Sequence, residues 1–253
     1  RKIVVKARLI VLAGGAINTP ALMLRSRLDL DGRVGKRTYL HPVVASGALF
    51  EQRIEGFYGA PQAVSSHQFA DRGPGKVGFF LETAPVHPML TAVALGGAGH
   101  EHQDVMSRLA HFNALISLSI DGFLPGDEGG TVSLRDDGRV KIDYPIRDAT
   151  WDALRESMKA MARIQLAAGA KEVLPIHGQA LRIRSDTELD KIDALPWKPL
   201  RATVFTAHQM GGAAMGRDPA KSVVDARLKH HHLYNLYVVD GSIMPGNPGV
   251  NPS

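Results

Sequence analysis

The chain is 253 residues long, 44% hydrophobic and 22% charged, with a net charge of +5 and no cysteine. Length and balance exclude a disordered or fibrous chain and leave room for one large domain or two smaller ones. The absent cysteines exclude disulfides, thiolate-bound zinc and iron–sulfur clusters within the chain, and the scattered Lys and Arg argue against nucleic acid as a partner.

No apolar run approaches the ~20 residues of a membrane helix. The longest, 9–17, is interrupted by glycines. The composition suits cytoplasm and periplasm equally, and no signal peptide stands at the start. Arg1 in place of Met, with an abrupt ending at Asn251-Pro252-Ser253, leads us to expect a piece of a longer protein.

Residues 3–13, IVVKARLIVLA, read as a strand. The run from Leu9 to Ala13 is continuously apolar, as a strand buried on both faces requires. Gly14-Gly15 ends it. Thr19 is placed to cap a helix whose first residue is Pro20. Strand, glycine turn and helix make half of a nucleotide-binding unit. On these residues alone, the Ala13-Gly14 backbone either packs against a nucleotide or is a tight connection; the missing G-x-G-x-x-G favours the connection. Residues 32–42 form a polar turn ending in His41-Pro42, with His41 read as structural or as part of a domain junction.

From Val43 the pattern changes. Residues 43–50, 77–83 and 113–121 predict strands, and 100–109 a short helix. Asp136-Asp137-Gly138 between alternating runs marks a hairpin. Asp148 precedes a helix over 150–168, with Trp151, Leu154, Met158, Met161 and Ala162 on one face and Gly169 closing it. Those methionines read as core. Residues 43–200 therefore predict an antiparallel sheet with helices on one side.

The last stretch carries the chemistry. His208 stands in a glycine-rich turn, His208-Gln-Met-Gly211-Gly212-Ala-Ala-Met215-Gly216. An apolar strand over 236–239 ends on Asp240-Gly241-Ser242, a turn without bulk that can approach a phosphate or flavin closely. A Pro/Gly/Asn loop follows, holding Asn251 in a braced backbone. Met210 and Met215 read as core or pocket support. His230-His231-His232 reads as a turn, because adjacent imidazoles cannot all face one way and no ligand partner stands at metal spacing.

H-Q-M-G-G-x-x-M-G from His208, S-V-V-D from Ser222, N-L-Y-V-V-D-G-S-x-M-P from Asn235 and G-V-N-P from Gly249 together resemble the C-terminal signature of the glucose–methanol–choline (GMC) flavin oxidoreductases. Residues 9–20 resemble that family's strand–A-G-A–x-x-x–Pro element, which touches the ADP part of FAD, and 32–42 its G-x-x-L-x-x-H-P element, with Leu-His-Pro at 40–42. The resemblance implies a mixed α/β fold: a Rossmann-like FAD-binding domain in part (1–42 and 201–253) and an antiparallel-sheet substrate-binding domain (43–200). It implies FAD-dependent oxidation of an alcohol, with His208 as catalytic base. Asn251, six residues after Pro245, is its partner. Ala13, Gly14, Asp240, Gly241, Asn251 and Pro252 become cofactor contacts, with backbone N–H groups around Asp240 and Gly241 holding the pyrophosphate or ribityl chain. The resemblance further implies an alcohol as substrate and oxygen, a quinone or a cytochrome as electron acceptor.

Two departures from the family pattern stand out. The N-terminal G-x-G-x-x-G fingerprint is absent, and the sequence stops where the family continues into a final helix. Rival expectations are a catalytically silent fragment that does not bind FAD alone, and a hydroxynitrile-lyase-like member of the same fold. A serine hydrolase ranks last, since no G-x-S-x-G elbow is present.

Overall fold

The structure, a computed structural model, describes residues 3–252. In chain order they form β1 (Ile10–Leu12), α1 (Gly15–Arg25), β2 (Thr38–Leu40), β3 (Val43–Leu49), β4 (Ser65–Ser66), β5 (Gly78–Thr83), α2 (Pro88–Ala94), α3 (His100–Ser107), β6 (Phe112–Ile120), β7 (Thr131–Leu134), β8 (Val140–Asp143), α4 (Asp148–Ala167), β9 (Glu172–Pro175), α5 (Asp190–Asp193), β10 (Gln209–Gly211) and β11 (Leu236–Val238). The fold is mixed α/β with antiparallel sheets. It divides into two compact units: one holds the chain up to His41, Asp121–Ile146 and the chain from Thr206; the other holds Pro42–Ile120 and Arg147–Phe205.

The second unit is built on a five-stranded antiparallel sheet in the order β4-β5-β6-β3-β9. Helix α4 packs across β3, β5, β6 and β9. The apolar stripe legible in the sequence is the face it buries: Leu154, Met158 and Met161 are wholly inaccessible. Burying each such side chain contributes roughly 1.5–3 kcal/mol. Gly169 closes the helix at φ 96°, and the Ala170 N–H returns to the Gln165 carbonyl, which satisfies the last turn. The methionines there are core, and Gln165 spends its amide on Ser46 and Asn113.

The first unit pairs β1 with β11 in parallel, Ile10 against Leu236, and β2 with β10 antiparallel. The expected strand over 3–13 is shorter than its apolar pattern. Only Ile10–Leu12 finds a ladder partner, because β11 is itself short, and Ile3, Val4 and Val5 stand 74–82% exposed. A strand extends only as far as its hydrogen-bond partner does.

Helix α1 also differs from expectation. It begins at Gly15, so Thr19 is inside it and Pro20 is interior rather than first. The cause is a side-chain cap from elsewhere: the Asp240 carboxylate accepts the Gly15 N–H (2.9 Å) and the Thr19 hydroxyl (2.5 Å). Thr19 Oγ1 in turn accepts the Gly14 N–H at 2.9 Å. These contacts nucleate the first turn five residues early.

The β7–β8 hairpin forms where Asp-Gly predicted it, but residues 121–146 group with the first unit and not with the 43–200 stretch. Thr38 and Gly130 exchange both backbone hydrogen bonds, and the Val132 N–H reaches the Gly35 carbonyl. Gly122 and Gly129 press on the Tyr39 ring so closely that an added Cβ would stand 2.7–2.8 Å from it. The three adjacent histidines are divided among separate tasks: His230 Nδ1 accepts the His232 N–H, His231 bonds Ser222, and His232 bonds Asp31.

Candidate active site

Strands β10 and β2 pair with Gln209 opposite Leu40 and Gly211 opposite Thr38. Continuing that register places His208 opposite His41. Gly211, at φ 77°, lets the two backbones approach: a Cβ there would lie 1.9 Å from the Arg37 carbonyl oxygen. The sequence therefore brings two imidazoles together through a tight antiparallel contact that only glycine permits.

His41 is wholly buried, and its Nδ1 lies 2.9 Å from Nδ1 of the half-buried His208. The rings meet edge to face, 5.1 Å between centroids. On the far side, His41 Nε2 lies 2.5 Å from Asn247 Oδ1. Asn247 Oδ1 also accepts the Gly249 N–H at 2.8 Å, and its Nδ2 donates to Asp121 Oδ1 at 2.7 Å. The Leu40 N–H points at the other Asp121 oxygen, 3.4 Å away. Four side chains thus run in line: Asp121, Asn247, His41, His208.

Burial sets the charge states. It drives the His41 imidazole down to about 4, with the Asn247 hydrogen bond opposing and the His208 charge reinforcing. It lifts Asp121 to about 6 against the hydrogen bonds from Asn247 and Leu40. The consequences for folding oppose each other. His41 binds its proton less readily folded than unfolded, so stability falls as pH drops from about 6.5 to about 4. Asp121 binds its proton more readily folded, so stability falls as pH rises from 3.8 to about 6. Asp121→Asn removes the second effect and leaves the first. On acidification from pH 7 to 4.5, the variant is expected to lose about 2 kcal/mol more than the parent. Urea midpoints at the two pH values measure it; equal losses would contradict the burial of Asp121.

The second cluster lies at the carboxyl ends of β1 and β11, which pair in parallel. Ala13 and Gly14 are exposed there, and the Thr19 and Asn18 side chains stand 3.2 and 3.5 Å from where a Gly14 Cβ would lie. Asp240 ties the cluster together, accepting from Gly15, Thr19 and the Ser242 N–H. Its own burial raises its pKa, but the Ser242, Thr19 and Gly15 donors outweigh that and hold it below the usual carboxylate range. Gly241 opens the short turn Gly241–Ile243. Ala13, Gly14, Asp240 and Gly241 are therefore brought together. The amides of Gly14, Gly15 and Ser242 are already engaged by Thr19 and Asp240, so the phosphate-holding part expected of N–H groups around Asp240 does not fall to these three. Asn251 and Pro252 are half-buried in the same unit, and the Asn251 side-chain oxygen is inaccessible. Met210 is core, and Met215 packs at its edge.

Two participants were not singled out from the sequence, Asp121 and Asn247. Each carried a faint signal. Asp121-Gly122 ends a strand just as Asp240-Gly241 does, and Asn247 precedes Pro248 in the braced loop. His41, read as structural, is the link between them and His208.

The chain belongs to the GMC oxidoreductases: the sequence model of the family described as GMC oxidoreductase matches residues 125–253, half of the chain. Among curated relatives, it is 28% identical to a long-chain-alcohol oxidase of Arabidopsis thaliana over 98% of this chain and 35% of that protein. It is 32% identical to an uncharacterized GMC-type oxidoreductase of Mycobacterium tuberculosis, over 98% of this chain and 38% of that one. A 6'''-hydroxyparomomycin C oxidase of Streptomyces lividus is 31% identical, over 98% and 42% respectively. The chain thus spans a little over a third of the length of the first relatives. The crystal structure of pyridoxine 4-oxidase from Mesorbium loti shares the fold, with a TM-score of 0.61 at 22% identity over 96% of this chain and 48% of that one. Among the described residues, no helix is long and apolar enough to cross a membrane.

Proposed function

We propose that this chain is the part of an FAD-dependent GMC enzyme that carries the proton-handling site, and that the enzyme oxidises an alcohol to an aldehyde or ketone. The observation that carries the reading is His208, half-buried and held through Nδ1 against a buried, neutral His41. An alcohol surrenders hydride poorly while its oxygen keeps the proton. An imidazole is the side chain suited to take that proton near neutral pH. Asn251 donates its amide to the developing alkoxide. FAD, when bound, supplies the two-electron acceptor. Ala13, Gly14, Asp240, Gly241, Asn251 and Pro252 line its site in this reading, and the second unit is the substrate-binding domain. Two of the relatives are named a long-chain-alcohol oxidase and a 6'''-hydroxyparomomycin C oxidase, which supports a C–OH donor. Oxygen, a quinone or a cytochrome then takes the electrons.

The first experiment is a visible absorption spectrum after incubation with FAD and desalting, on this chain and on the longer protein that carries it. A retained flavin band that bleaches with alcohol is the expected result for the longer protein. A band unchanged by every primary and secondary alcohol tried, together with cyanohydrin cleavage, would replace oxidation with the lyase reading. A colourless longer protein would remove the cofactor itself.

A further inference from the structure

The hydrogen bonds around Asn247 have only one consistent direction. Gly249 N–H can only donate, and it points at Asn247 Oδ1 (2.8 Å). The Asp121 carboxylate, ionised at neutral pH, can only accept, and it faces Asn247 Nδ2 (2.7 Å). These two partners fix the amide so that Oδ1 faces His41. Oδ1 has no proton to give, so His41 Nε2 must carry one.

The direction then propagates. A buried imidazole that stays neutral down to about 4 holds a single ring proton at neutral pH. With that proton on Nε2, Nδ1 of His41 is a bare acceptor. The 2.9 Å contact to His208 Nδ1 is a hydrogen bond only if His208 supplies the proton. Neutral His208 is then protonated on Nδ1, and its lone pair is on Nε2.

We propose that Asp121 and Asn247 act through His41 as positioning residues that fix His208 in the Nδ1–H tautomer, making Nε2 its proton-accepting nitrogen. The consequence for catalysis rests on the alcohol-oxidation reading; the tautomer itself does not. Free imidazole side chains in water favour the opposite tautomer, with the proton on Nε2. The chain of contacts therefore works against the default and keeps the base ready to receive a proton. Its anchor is a carboxylate two links away from the imidazole it serves, unlike a carboxylate bonded directly to a catalytic histidine.

The test has a readout independent of turnover. Nitrogen NMR of the imidazole-labelled protein at neutral pH, with His208 assigned by its absence in His208→Gln, reports which ring nitrogen is protonated. The expected result is Nδ1–H at His208 and Nε2–H at His41. Nε2–H at His208 in the parent protein overturns the proposal whatever the enzyme does. Asn247→Leu and Asp121→Leu should move His208 toward Nε2–H. Asp121→Asn, which keeps an oxygen for Asn247 Nδ2, should restore the parent spectrum. If the leucine variants fail to fold, the parent spectrum and Asp121→Asn still decide. In the flavin-loaded protein the tautomer-shifting variants should lose roughly tenfold or more in kcat, against an upper reference of ~10⁴ for a base held in the wrong tautomer. KM and flavin retention should stay near the parent values. An Nδ1–H His208 in a protein without alcohol oxidation would keep the relay and remove the function.

Discussion

His208→Ala is expected to lower turnover of the flavin-loaded protein with an alcohol by about 10²–10⁴, the usual contribution of a positioned general base. Flavin retention should be unchanged. The His208 ring meets His41, and its backbone exchanges hydrogen bonds with the Thr206 hydroxyl. Removing its ring therefore deletes a proton acceptor without touching the backbone that faces the nucleotide. Single-turnover reduction of the flavin, read from bleaching after rapid mixing, isolates the step. Flavin lost in step with activity, with turnover per bound flavin unchanged, would make His208 a binding residue and would move the base elsewhere, with His41 next in line. His41 is the weaker candidate: its ring is wholly buried and both its nitrogens are engaged, one by Asn247 and one by His208.

What was legible in the sequence divides along a physical line. Periodicity and turn chemistry are local, and they found the hairpin at Asp136-Asp137-Gly138, the buried face of α4 and its closure at Gly169. The start of α1 was not legible, because the group that caps it, Asp240, is 225 residues from Gly15. The same holds for the strand at 3–13: its apolar pattern is real, but the length of β11 decides how much of it pairs. His208 was found from its glycine-rich context. Its partners were not, since Asp121, Asn247 and His41 come from three separate stretches and only their folding together makes them neighbours. A local motif reveals the residue it contains more readily than the distant residues that hold it.

Gly211→Ala is the substitution expected to damage the fold most for the atoms added. Two effects combine. At φ 77° the backbone lies in the left-handed region, where a Cβ costs about 1 kcal/mol. The larger effect is steric: that Cβ would meet the Arg37 carbonyl oxygen at 1.9 Å and its carbon at 3.0 Å. Both are backbone atoms of the residue just before β2, which cannot rotate away as a side chain can. Relief requires β10 and β2 to part, and with them goes the register that sets His208 opposite His41. The expected loss is about 3 kcal/mol or more, in the range reserved for substitutions that break packed backbone. Gly169→Ala is the matched control, since Gly169 has φ 96° but nothing within 4 Å of the added carbon. It carries the conformational strain alone and should cost about 1 kcal/mol. Urea unfolding of the two variants separates the contributions. A Gly211→Ala protein as stable as Gly169→Ala would mean that β10 and β2 are not pressed together, and the His208–His41 contact would lose its structural cause.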